Sequence, residues 1–321
     1  MKKILVTGSA GFIGMHLSLS LLKDYQVIGI DNINNYYDTK LKLDRIKILK
    51  KNKNFFFYKC DLKDYKKIYE IFKKKKPDIV INLAAQAGVR YSLEFPRKYL
   101  TANIEGFFNI LECCKIFKIK KLLYASSSSV YGENIIGPFA ENQNTDKPLS
   151  IYAFTKKSNE LMANVYNHLY NQKCIGMRFF TVYGPWGRPD MALFSFVKSI
   201  LKKKQIRLYN FGNMIRDFTY IDDVVKYIEK IIKLNVKYYN NDIVNIGNNN
   251  PVQLIDFVKV IESNLNIKAK IKFVPKPKSD VYLTHANTRI LKKFTKSKFS
   301  TNINIGIKNF INWYKLYYNF K

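Results

Sequence analysis

At 321 residues, of which 47% are apolar, the chain is long enough for one large domain with a smaller lobe. No stretch approaches the ~20 consecutive apolar residues of a membrane span, and the chain opens directly on a strand, so we expect a cytoplasmic protein without membrane insertion. The net charge of +31 rests on scattered lysines, with only eight arginines among 55 basic residues, and no aromatic and basic recognition motif is present. We therefore expect no nucleic-acid partner.

The cysteines and histidines predict no metal centre. Cys60, Cys113, Cys114 and Cys174 stand in apolar surroundings without CxxC spacing, which is typical of buried thiols rather than disulfides. The histidines are isolated from one another along the sequence and lack metal-ligand spacing. We therefore expect a functional site without a metal ion.

A short apolar strand at residues 4–6 is followed by Gly8, Gly11 and Gly14 and by an amphipathic helix through residue 22. Glycines at this spacing allow a tight turn, close approach of the backbone to a pyrophosphate, and phosphate binding at the helix N-terminus. The next strand, at residues 27–30, ends in Asp31, whose carboxylate would accept hydrogen bonds from ribose hydroxyls and repel a 2′-phosphate. This arrangement predicts a site for NAD rather than NADP.

Strands and helices then alternate, with strands at 55–58, 78–83 and 121–126 and helices at 63–76 and from 96 to about 117. Continuous apolar strands separated by helices predict an α/β fold of Rossmann type, a doubly wound parallel sheet covered on both faces. Ligands of such sheets bind beyond the carboxyl ends of the strands. The polar and small residues that fall at those ends are Gly8, Asp31, Asp61, Ala84 and Ser127.

The second half of the chain begins with a helix at 151–170 and a strand at 174–178, and its pattern then loosens into turns at 183–189. Further helices are expected near 193–203, from 219, at 253–265 and at 303–318, with a strand at 244–247. We assign residues 1–177 and 208–247 to an NAD-binding Rossmann domain. Residues 178–207 and 248–321 are assigned to a smaller α/β lobe that binds the substrate.

Tyr152 and Lys156 lie four residues apart on the predicted helix, so their side chains share one face. A lysine ammonium beside a phenol stabilises the phenolate and allows tyrosine to act as a base near neutral pH. Ser127, at the end of the preceding strand, could contact the same substrate oxygen. These three residues suit removal of a proton from an alcohol while a hydride leaves its carbon, and the hydride requires a cofactor as acceptor.

Together these motifs resemble the extended short-chain dehydrogenase/reductase family along essentially the whole chain. Four longer stretches are similar to UDP-glucuronate 4-epimerases within that family, at residues 31–38, 83–92, 178–192 and 216–223. The resemblance implies C4 epimerisation of a UDP-hexuronic acid, UDP-glucuronate to UDP-galacturonate. Tyr152 would take the proton from the 4-hydroxyl, and the hydride would return to the other face of a transient 4-keto sugar. Lys156 would lower the pKa of Tyr152 and bind the nicotinamide ribose, with Ser127 beside the phenol.

The resemblance also implies which residues contact each ligand. NAD would be bound by Gly8, Gly11, Phe12, Ile13, Gly14, Asp31, Asn32, Asp61, Leu62, Leu83, Ala84, Ala85, Gln86, Asn103, Tyr152, Lys156 and Phe179. The UDP-sugar would be bound by Arg90, Ser128, Ser129, Thr181, Arg188, Arg216 and Asp280, of which Arg216 and Asp280 match positions that hold the uridine diphosphate.

The expected acidic sugar requires control of its carboxylate. A 4-keto hexuronic acid is a β-keto acid, which loses carbon dioxide readily unless the carboxylate is held in an unfavourable orientation. Arg188 offers a planar donor fork in a chain that mostly uses lysine, and we interpret it as the main carboxylate clamp. Thr181 would assist it, and Arg90 is a further candidate.

Other activities stay open at this point. A neutral UDP-hexose or UDP-N-acetylhexosamine could be the substrate of the same epimerisation, or UDP-glucuronate could be decarboxylated. A dTDP-glucose 4,6-dehydratase would need an Asp-Glu pair where this chain has Ser128 and Ser129. A non-catalytic NAD-binding regulator would have no need of Ser127, Tyr152 and Lys156 together. The family commonly dimerises through two helices per subunit, so we expect a homodimer through the helices that start near Pro96 and Ile151.

Overall fold

The computed structural model describes residues 1–132, 137–238 and 242–320. Its strands are β1 (Lys3–Thr7), β2 (Gln26–Asp31), β3 (Phe55–Lys59), β4 (Ile79–Asn82), β5 (Lys121–Ser127), β6 (Cys174–Phe179), β7 (Thr181–Tyr183), β8 (Ile206–Tyr209), β9 (Ile215–Tyr220), β10 (Asp242–Ile246), β11 (Pro251–Gln253) and β12 (Ile271–Val274). Its α-helices are α1 (Phe12–Leu21), α2 (Thr39–Leu49), α3 (Tyr65–Lys75), α4 (Tyr91–Glu94), α5 (Pro96–Tyr99), α6 (Gly106–Ile116), α7 (Ile151–Tyr170), α8 (Ala192–Leu201), α9 (Ile221–Lys233), α10 (Leu254–Leu265), α11 (Arg289–Thr295) and α12 (Ile303–Tyr317).

Seven of these strands form one sheet in the order β10-β6-β5-β4-β1-β2-β3, with every neighbouring pair parallel. The order reverses at β1, which lies between β2 and β4, and this reversal creates the crevice in which doubly wound sheets bind ligands. The Rossmann-type α/β fold expected from the alternating pattern is therefore confirmed.

Both faces of the central sheet are covered by apolar side chains. Along β1, Ile4 and Val6 point into one buried cluster, whereas Leu5 points into the cluster on the opposite face. Successive strand side chains alternate between faces, so a strand buried on both sides reads as an unbroken apolar run. This is the physical reason that the central strands could be recognised in the sequence.

The smaller lobe contains two short sheets that the sequence analysis did not assign. One has the order β11-β9-β7, and the other pairs β12 with β8. All of β9 and half of β8 fall within the range 208–247 that was assigned to the Rossmann domain, yet both strands pair within these small sheets, whereas β10 joins the central sheet. The domain boundaries stay a prediction.

The helix expected from Pro96 to about Phe117 is interrupted. It consists of α5, a π-helical turn at Leu100–Glu105, and α6, and the short α4 precedes it. A π-helical turn changes the direction of side chains relative to a regular helix and often occurs at functional sites. Here it carries Asn103, which reaches the wall of the cleft described below. Within the described residues, no helix is long and apolar enough to cross a membrane.

Candidate active site

A cleft of about 1040 Å³ lies beyond the carboxyl ends of the central strands and reaches the smaller sheets. It is lined by nearly all of the residues that the sequence analysis assigned to cofactor, catalysis or substrate. These are Gly8, Gly11, Phe12, Ile13, Gly14, Asp31, Asn32, Asp61, Leu62, Leu83, Ala84, Ala85, Gln86, Arg90, Ser127, Ser128, Ser129, Tyr152, Lys156, Phe179, Thr181, Arg188, Arg216 and Asp280. The fold thus brings distant parts of the chain to one site.

Asn103 is the exception among the predicted cofactor residues, because it lies behind the wall of the cleft. Its Oδ1 accepts from the Gln86 backbone N–H at 2.8 Å, and its Nδ2 donates to the Gln86 carbonyl at 3.0 Å. The same Nδ2 donates to Thr155 Oγ1 at 3.0 Å. In this structure Asn103 therefore holds the loop that lines the cofactor side of the cleft instead of lining it.

The glycine loop between β1 and α1 is packed backbone against backbone. Gly8 has φ of +72°, a left-handed conformation that favours glycine, and a Cβ atom on Gly8 would lie 2.8 Å from the Ala84 nitrogen. A Cβ atom on Gly14 would clash with the Gly8 carbonyl oxygen. A side chain at these positions would therefore disrupt the surface that faces the N-terminus of α1. This surface fits the pyrophosphate of a dinucleotide.

Asp31 ends β2 at the edge of the same loop. Its carboxylate accepts from the Ala10 N–H at 3.1 Å and from the Ile33 N–H at 2.8 Å. Burial raises the pKa of Asp31, and these backbone hydrogen bonds and nearby Lys42 oppose the rise. A partly buried carboxylate with further acceptor capacity suits the hydroxyls of a ribose.

Tyr152 lies in the first turn of α7, which is capped at its N-terminus by Ser150. Ser150 Oγ accepts from the Ala153 N–H at 3.1 Å, which fixes where the helix begins. Burial raises the pKa of the Tyr152 phenol, while a hydrogen bond with Ser127 and the positive charge of Arg188 lower it. Ser127 and Tyr152 are therefore side by side, as the sequence analysis expected.

Lys156 differs from its expected environment. Its Nζ donates to the Ala125 carbonyl at 2.8 Å, and the residue is 2% exposed. Burial lowers the pKa of Lys156 to about 8, opposed by the carboxylate of Glu160. In this structure Ser127 and Arg188 lower the pKa of Tyr152, and the Lys156 ammonium is directed to the end of β5. The predicted effect of Lys156 on the pKa of Tyr152 stays a prediction.

A second polar layer lies beneath these residues. Arg178 forms a buried two-point ion pair with Glu160, with Nε to Oε1 and Nη2 to Oε2 both at 2.8 Å. Ser126 Oγ donates to the same Glu160 Oε1 at 2.6 Å. Because Ser126 is on β5 and Glu160 is on α7, this network ties the strand that carries Ser127 to the helix that carries Tyr152.

The serines after β5 face the same space. Ser128–Tyr131 form a short 3₁₀ turn, and Ser129 Oγ donates to Ser127 Oγ at 2.9 Å. Thr181 begins β7 and also lines the cleft. Hydroxyl donors are thus clustered beside Tyr152 at the carboxyl end of β5.

Arg188 follows the turn after β7 and is paired with Asp190. Its Nε lies 3.0 Å from Asp190 Oδ1, and its Nη2 lies 2.5 Å from Asp190 Oδ2. Tyr36 donates its hydroxyl to Asp190 Oδ2 at 3.0 Å. The predicted clamp therefore already has one carboxylate partner, which the sequence analysis did not anticipate.

The remaining predicted substrate residues lie at the other end of the cleft. Arg90 forms an ion pair with Asp280, with Nη2 to Oδ2 at 2.6 Å, and its guanidinium lies 3.9 Å from the centre of the Tyr209 ring. Arg216 donates to the carbonyls of Tyr282 and Val281 at 2.9 Å and 2.8 Å. Burial lowers the pKa of Arg216 to about 10. The structure thus places Arg90, a candidate for the carboxylate clamp, beside Asp280, whose position the resemblance matched to the uridine diphosphate. Both assignments stay predictions.

Sequence reasoning missed several residues at the site, of which Tyr36, Lys42 and Asp190 line the cleft. Lys42 is 5% exposed, and its Nζ donates to the Asn34 carbonyl at 2.7 Å. Burial lowers the pKa of Lys42 to about 8. The available signal was their position in the matched stretches. Tyr36 lies inside 31–38, Lys42 lies just beyond it, and Asp190 lies inside 178–192.

Comparison with known proteins gives the family. Residues 4–247 match the NAD dependent epimerase/dehydratase family. The chain belongs to this family. Its predicted membership, its cofactor NAD and its enzymatic character are thereby confirmed.

Individual relatives are similar along nearly the whole chain. Protein CapI of Staphylococcus aureus is 50% identical over 332 residues, covering 98% of this chain and 99% of CapI. UDP-glucuronate 4-epimerase 4 of Arabidopsis thaliana is 43% identical over 331 residues, covering 98% of this chain and 76% of that protein. The crystal structure of UDP-glucuronic acid 4-epimerase from Bacillus cereus, in complex with UDP-glucuronic acid and NAD, superposes with a TM-score of 0.94 at 33% identity, covering 98% and 100% of the two chains.

Proposed function

We propose that the protein catalyses the NAD-dependent C4 epimerisation of UDP-glucuronate to UDP-galacturonate. The observation that carries this proposal is the position of Arg188, which lines the same cleft as Ser127 and Tyr152 and is close enough to lower the pKa of the Tyr152 phenol. An arginine fork there suits a substrate that carries a carboxylate on the carbon next to the reacting one. The named relatives from Arabidopsis thaliana and Bacillus cereus support the same substrate.

Different residues of the cleft would bind the cofactor and the UDP-sugar. The glycine loop and Asp31 would hold the pyrophosphate and the adenosine ribose of NAD, as the close backbone packing at Gly8 and Gly14 allows. When bound, NAD accepts a hydride from C4 of the sugar and returns it. Arg216 and Asp280, at the far end of the cleft, would hold the uridine diphosphate.

Tyr152 would remove the proton from the 4-hydroxyl as the hydride leaves C4, and would return a proton to the 4-keto oxygen after the sugar has turned over. Ser127 donates or accepts a hydrogen bond at the same oxygen and keeps it within reach of the phenol. Lys156 is directed to the Ala125 carbonyl in this structure, and we propose that it contacts the nicotinamide ribose when NAD is present. The serines 128 and 129 and Thr181 would bind sugar hydroxyls or the carboxylate.

We also propose that the protein is a cytoplasmic homodimer. All four cysteines are free and buried, which suits a reducing compartment. A stripe of apolar side chains lies exposed on the outward faces of α6 and α7, and it consists of Phe108, Phe154, Leu161, Val165 and Leu169. Stripes of this kind on adjacent helices are typical of surfaces that pack against a second subunit.

The test is to incubate the purified protein, without added NAD, separately with UDP-glucuronate, UDP-glucose and UDP-N-acetylglucosamine, and to follow the anomeric protons by NMR. The proposal expects UDP-galacturonate to form from UDP-glucuronate and no reaction of comparable rate with the neutral sugars. Reaction of a neutral sugar alone would contradict the acidic substrate. A UDP-pentose as the main product would contradict epimerisation in favour of decarboxylation.

A further inference from the structure

The guanidinium of Arg188 has two edges that can bind a carboxylate, and the structure shows one of them in use. Arginine offers one donor pair from Nε and Nη2 and a second pair from Nη1 and Nη2. Asp190 takes the first pair, at 3.0 Å and 2.5 Å. The ion pair with Asp190 uses Nε and one donor of Nη2, which leaves Nη1 and the second donor of Nη2 to bind an anion in the cleft that Arg188 lines.

Asp190 also accepts a hydrogen bond from a residue on the other side of the cleft. The Tyr36 hydroxyl donates to Asp190 Oδ2 at 3.0 Å, and the Tyr36 ring lies 5.9 Å from Arg188 Cζ. Tyr36 belongs to the segment after β2, whereas Asp190 and Arg188 follow β7. The three side chains therefore join the cofactor side of the cleft to its substrate side.

Tyr36 has little freedom to move away from this contact. Its ring packs against Tyr91, with the ring centres 4.7 Å apart. Its hydroxyl lies over Gly88, where φ is +102° and an added Cβ atom would clash with that hydroxyl. A fixed tyrosine hydroxyl provides a fixed donor, and it defines where the Asp190 carboxylate sits.

Asp190 also stays charged in this environment. Burial alone would raise the pKa of its carboxyl, but the charge and hydrogen bonds of Arg188, together with the Tyr36 hydroxyl, outweigh burial and lower the pKa. A charged Asp190 keeps a strong two-point pair with Arg188 at neutral pH. The orientation of the guanidinium is then set before any substrate arrives.

We propose that Asp190 and Tyr36 are positioning residues that orient Arg188, so that its Nη1 and Nη2 edge binds the carboxylate of a UDP-hexuronic acid and suppresses decarboxylation. This inference rests on the proposed epimerase function and adds to it the residues that fix the clamp. It differs from a competing interpretation in which Asp190 only occupies Arg188 and obstructs the substrate. In that case, removing the charge of Asp190 would strengthen substrate binding.

Decarboxylation provides a readout that general loss of structure would not produce. In the 4-keto intermediate, the bond between C5 and C6 can break, its electron pair passing into the C4 carbonyl to give an enolate while carbon dioxide leaves. C5 then takes a proton from water. The hydride already removed returns to C4, and the proton held by Tyr152 returns to the C4 oxygen, which gives a UDP-pentose. This route needs the C5–C6 bond aligned with the carbonyl π system, so a loosened carboxylate favours it.

The experiment compares the wild-type protein with Asp190→Asn and Tyr36→Phe. Each change is close to isosteric, and Tyr36→Phe removes one hydroxyl only. Exposed residues supply matched controls, Asp256→Asn on α10 and Tyr65→Phe on α3. NMR measures the UDP-pentose share of the product from UDP-glucuronate, and calorimetry measures the Kd of UDP-glucuronate and of UDP-glucose for each purified protein with its bound NAD.

We expect Asp190→Asn to weaken UDP-glucuronate binding by about tenfold, the scale of one hydrogen bond to a charged group. The UDP-pentose share should rise by a similar factor, and the Kd of UDP-glucose should change less than about twofold, since that ligand has no carboxylate. Tyr36→Phe should also weaken UDP-glucuronate binding and raise the UDP-pentose share, each by a smaller factor than Asp190→Asn. The two control variants should match the wild type.

The outcomes separate this inference from the proposed function. If the wild-type protein does not epimerise UDP-glucuronate, the proposed function is wrong and this inference falls with it. If the wild type is active but both variants bind UDP-glucuronate as tightly as the wild type, or more tightly, and form no additional UDP-pentose, only the positioning role is wrong. Equal weakening of UDP-glucuronate and UDP-glucose would also contradict it, because that result indicates a general disturbance of the cleft.

Discussion

Lys156 is a charged side chain that the fold holds almost entirely away from water. It is 2% exposed, and its one hydrogen bond within the described residues goes to the Ala125 carbonyl. Burial moves its pKa from 10.5 to about 8. Between these two values the unfolded chain binds more protons than the folded one, so the penalty for burying the charge is fully present below about pH 8 and fades as the pH approaches 10.5.

We therefore predict that Lys156→Met increases the free energy of unfolding relative to wild type at pH 7, and that this advantage shrinks by ~2 kcal/mol between pH 7 and pH 10. Urea unfolding at several pH values, with both proteins freed of NAD, measures the difference. Lys259→Met, at an exposed position on α10, is the control and should show no such pH dependence. A difference between Lys156→Met and wild type that stays constant with pH would contradict the prediction.

Single residues also show where reasoning from the sequence succeeds and where it stops. Gly8, Asp31, Ser127 and Tyr152 were predicted because each stands at a strand end or a helix start that local pattern defines. The pairing of Arg188 with Asp190 joins neighbours in the sequence, but the Tyr36 hydroxyl that completes the group comes from 154 residues away. No local spacing carries that information, because the fold alone brings β2 and the turn after β7 together.

The helix α2 was missed for a reason that lies in its buried face. That face contains Leu41, Lys42, Arg45, Ile46 and Leu49 at helical spacing. Two of these five positions are basic, so the apolar periodicity that normally indicates a helix is broken. Arg45 is fully buried and donates to the Ala10 carbonyl at 2.9 Å and to the carbonyls of Trp186 and Gly187 at 2.6 Å and 3.2 Å. The helix thus connects the glycine loop to the turn that precedes Arg188.

We predict that Arg45→Met lowers the free energy of unfolding by about 3 kcal/mol, because two buried carbonyls and one partly buried carbonyl lose their donor. Chemical unfolding monitored by circular dichroism measures the loss. Arg289→Met, at an exposed position that starts α11, should change stability by less than about 0.5 kcal/mol. If Arg45→Met were as stable as Arg289→Met, the buried contacts of α2 would be unimportant for the fold.

At the scale of the whole molecule, the central sheet and the helices α8, α10 and α12 could be predicted from the sequence, whereas the short strands of the smaller lobe could not. Strands β1 to β6 are continuous apolar runs, whereas β7, β8, β11 and β12 have three or four residues each and are only partly buried. Strands of three or four residues are too short for an apolar run or an alternation to identify them in the sequence. The topology of that lobe depends on pairing between segments far apart in the chain, such as β8 with β12.

The exposed apolar stripe on α6 and α7 gives a prediction about assembly. We expect the protein to sediment as a dimer and Leu161→Glu, at a position 55% exposed on α7, to weaken dimerisation by at least about 100-fold, since it places a charge in the contact. Analytical ultracentrifugation over a range of concentrations measures this. Leu316→Glu on α12, where the side chain is 80% exposed, should leave the dimer intact. A wild-type monomer, or a dimer unaffected by Leu161→Glu, would contradict the proposed interface.

Helix α12 supports the candidate site from outside the cleft. Trp313 and Tyr317 on α12 pack against the ring of Trp186, and the Tyr317 hydroxyl donates to Asp44 on α2 at 2.5 Å. Trp186 belongs to the turn that precedes Arg188, so the packing of α12 fixes that turn from the side opposite the ligands. A substitution in this aromatic cluster would therefore change the substrate preference of the protein without altering a single group that contacts the substrate.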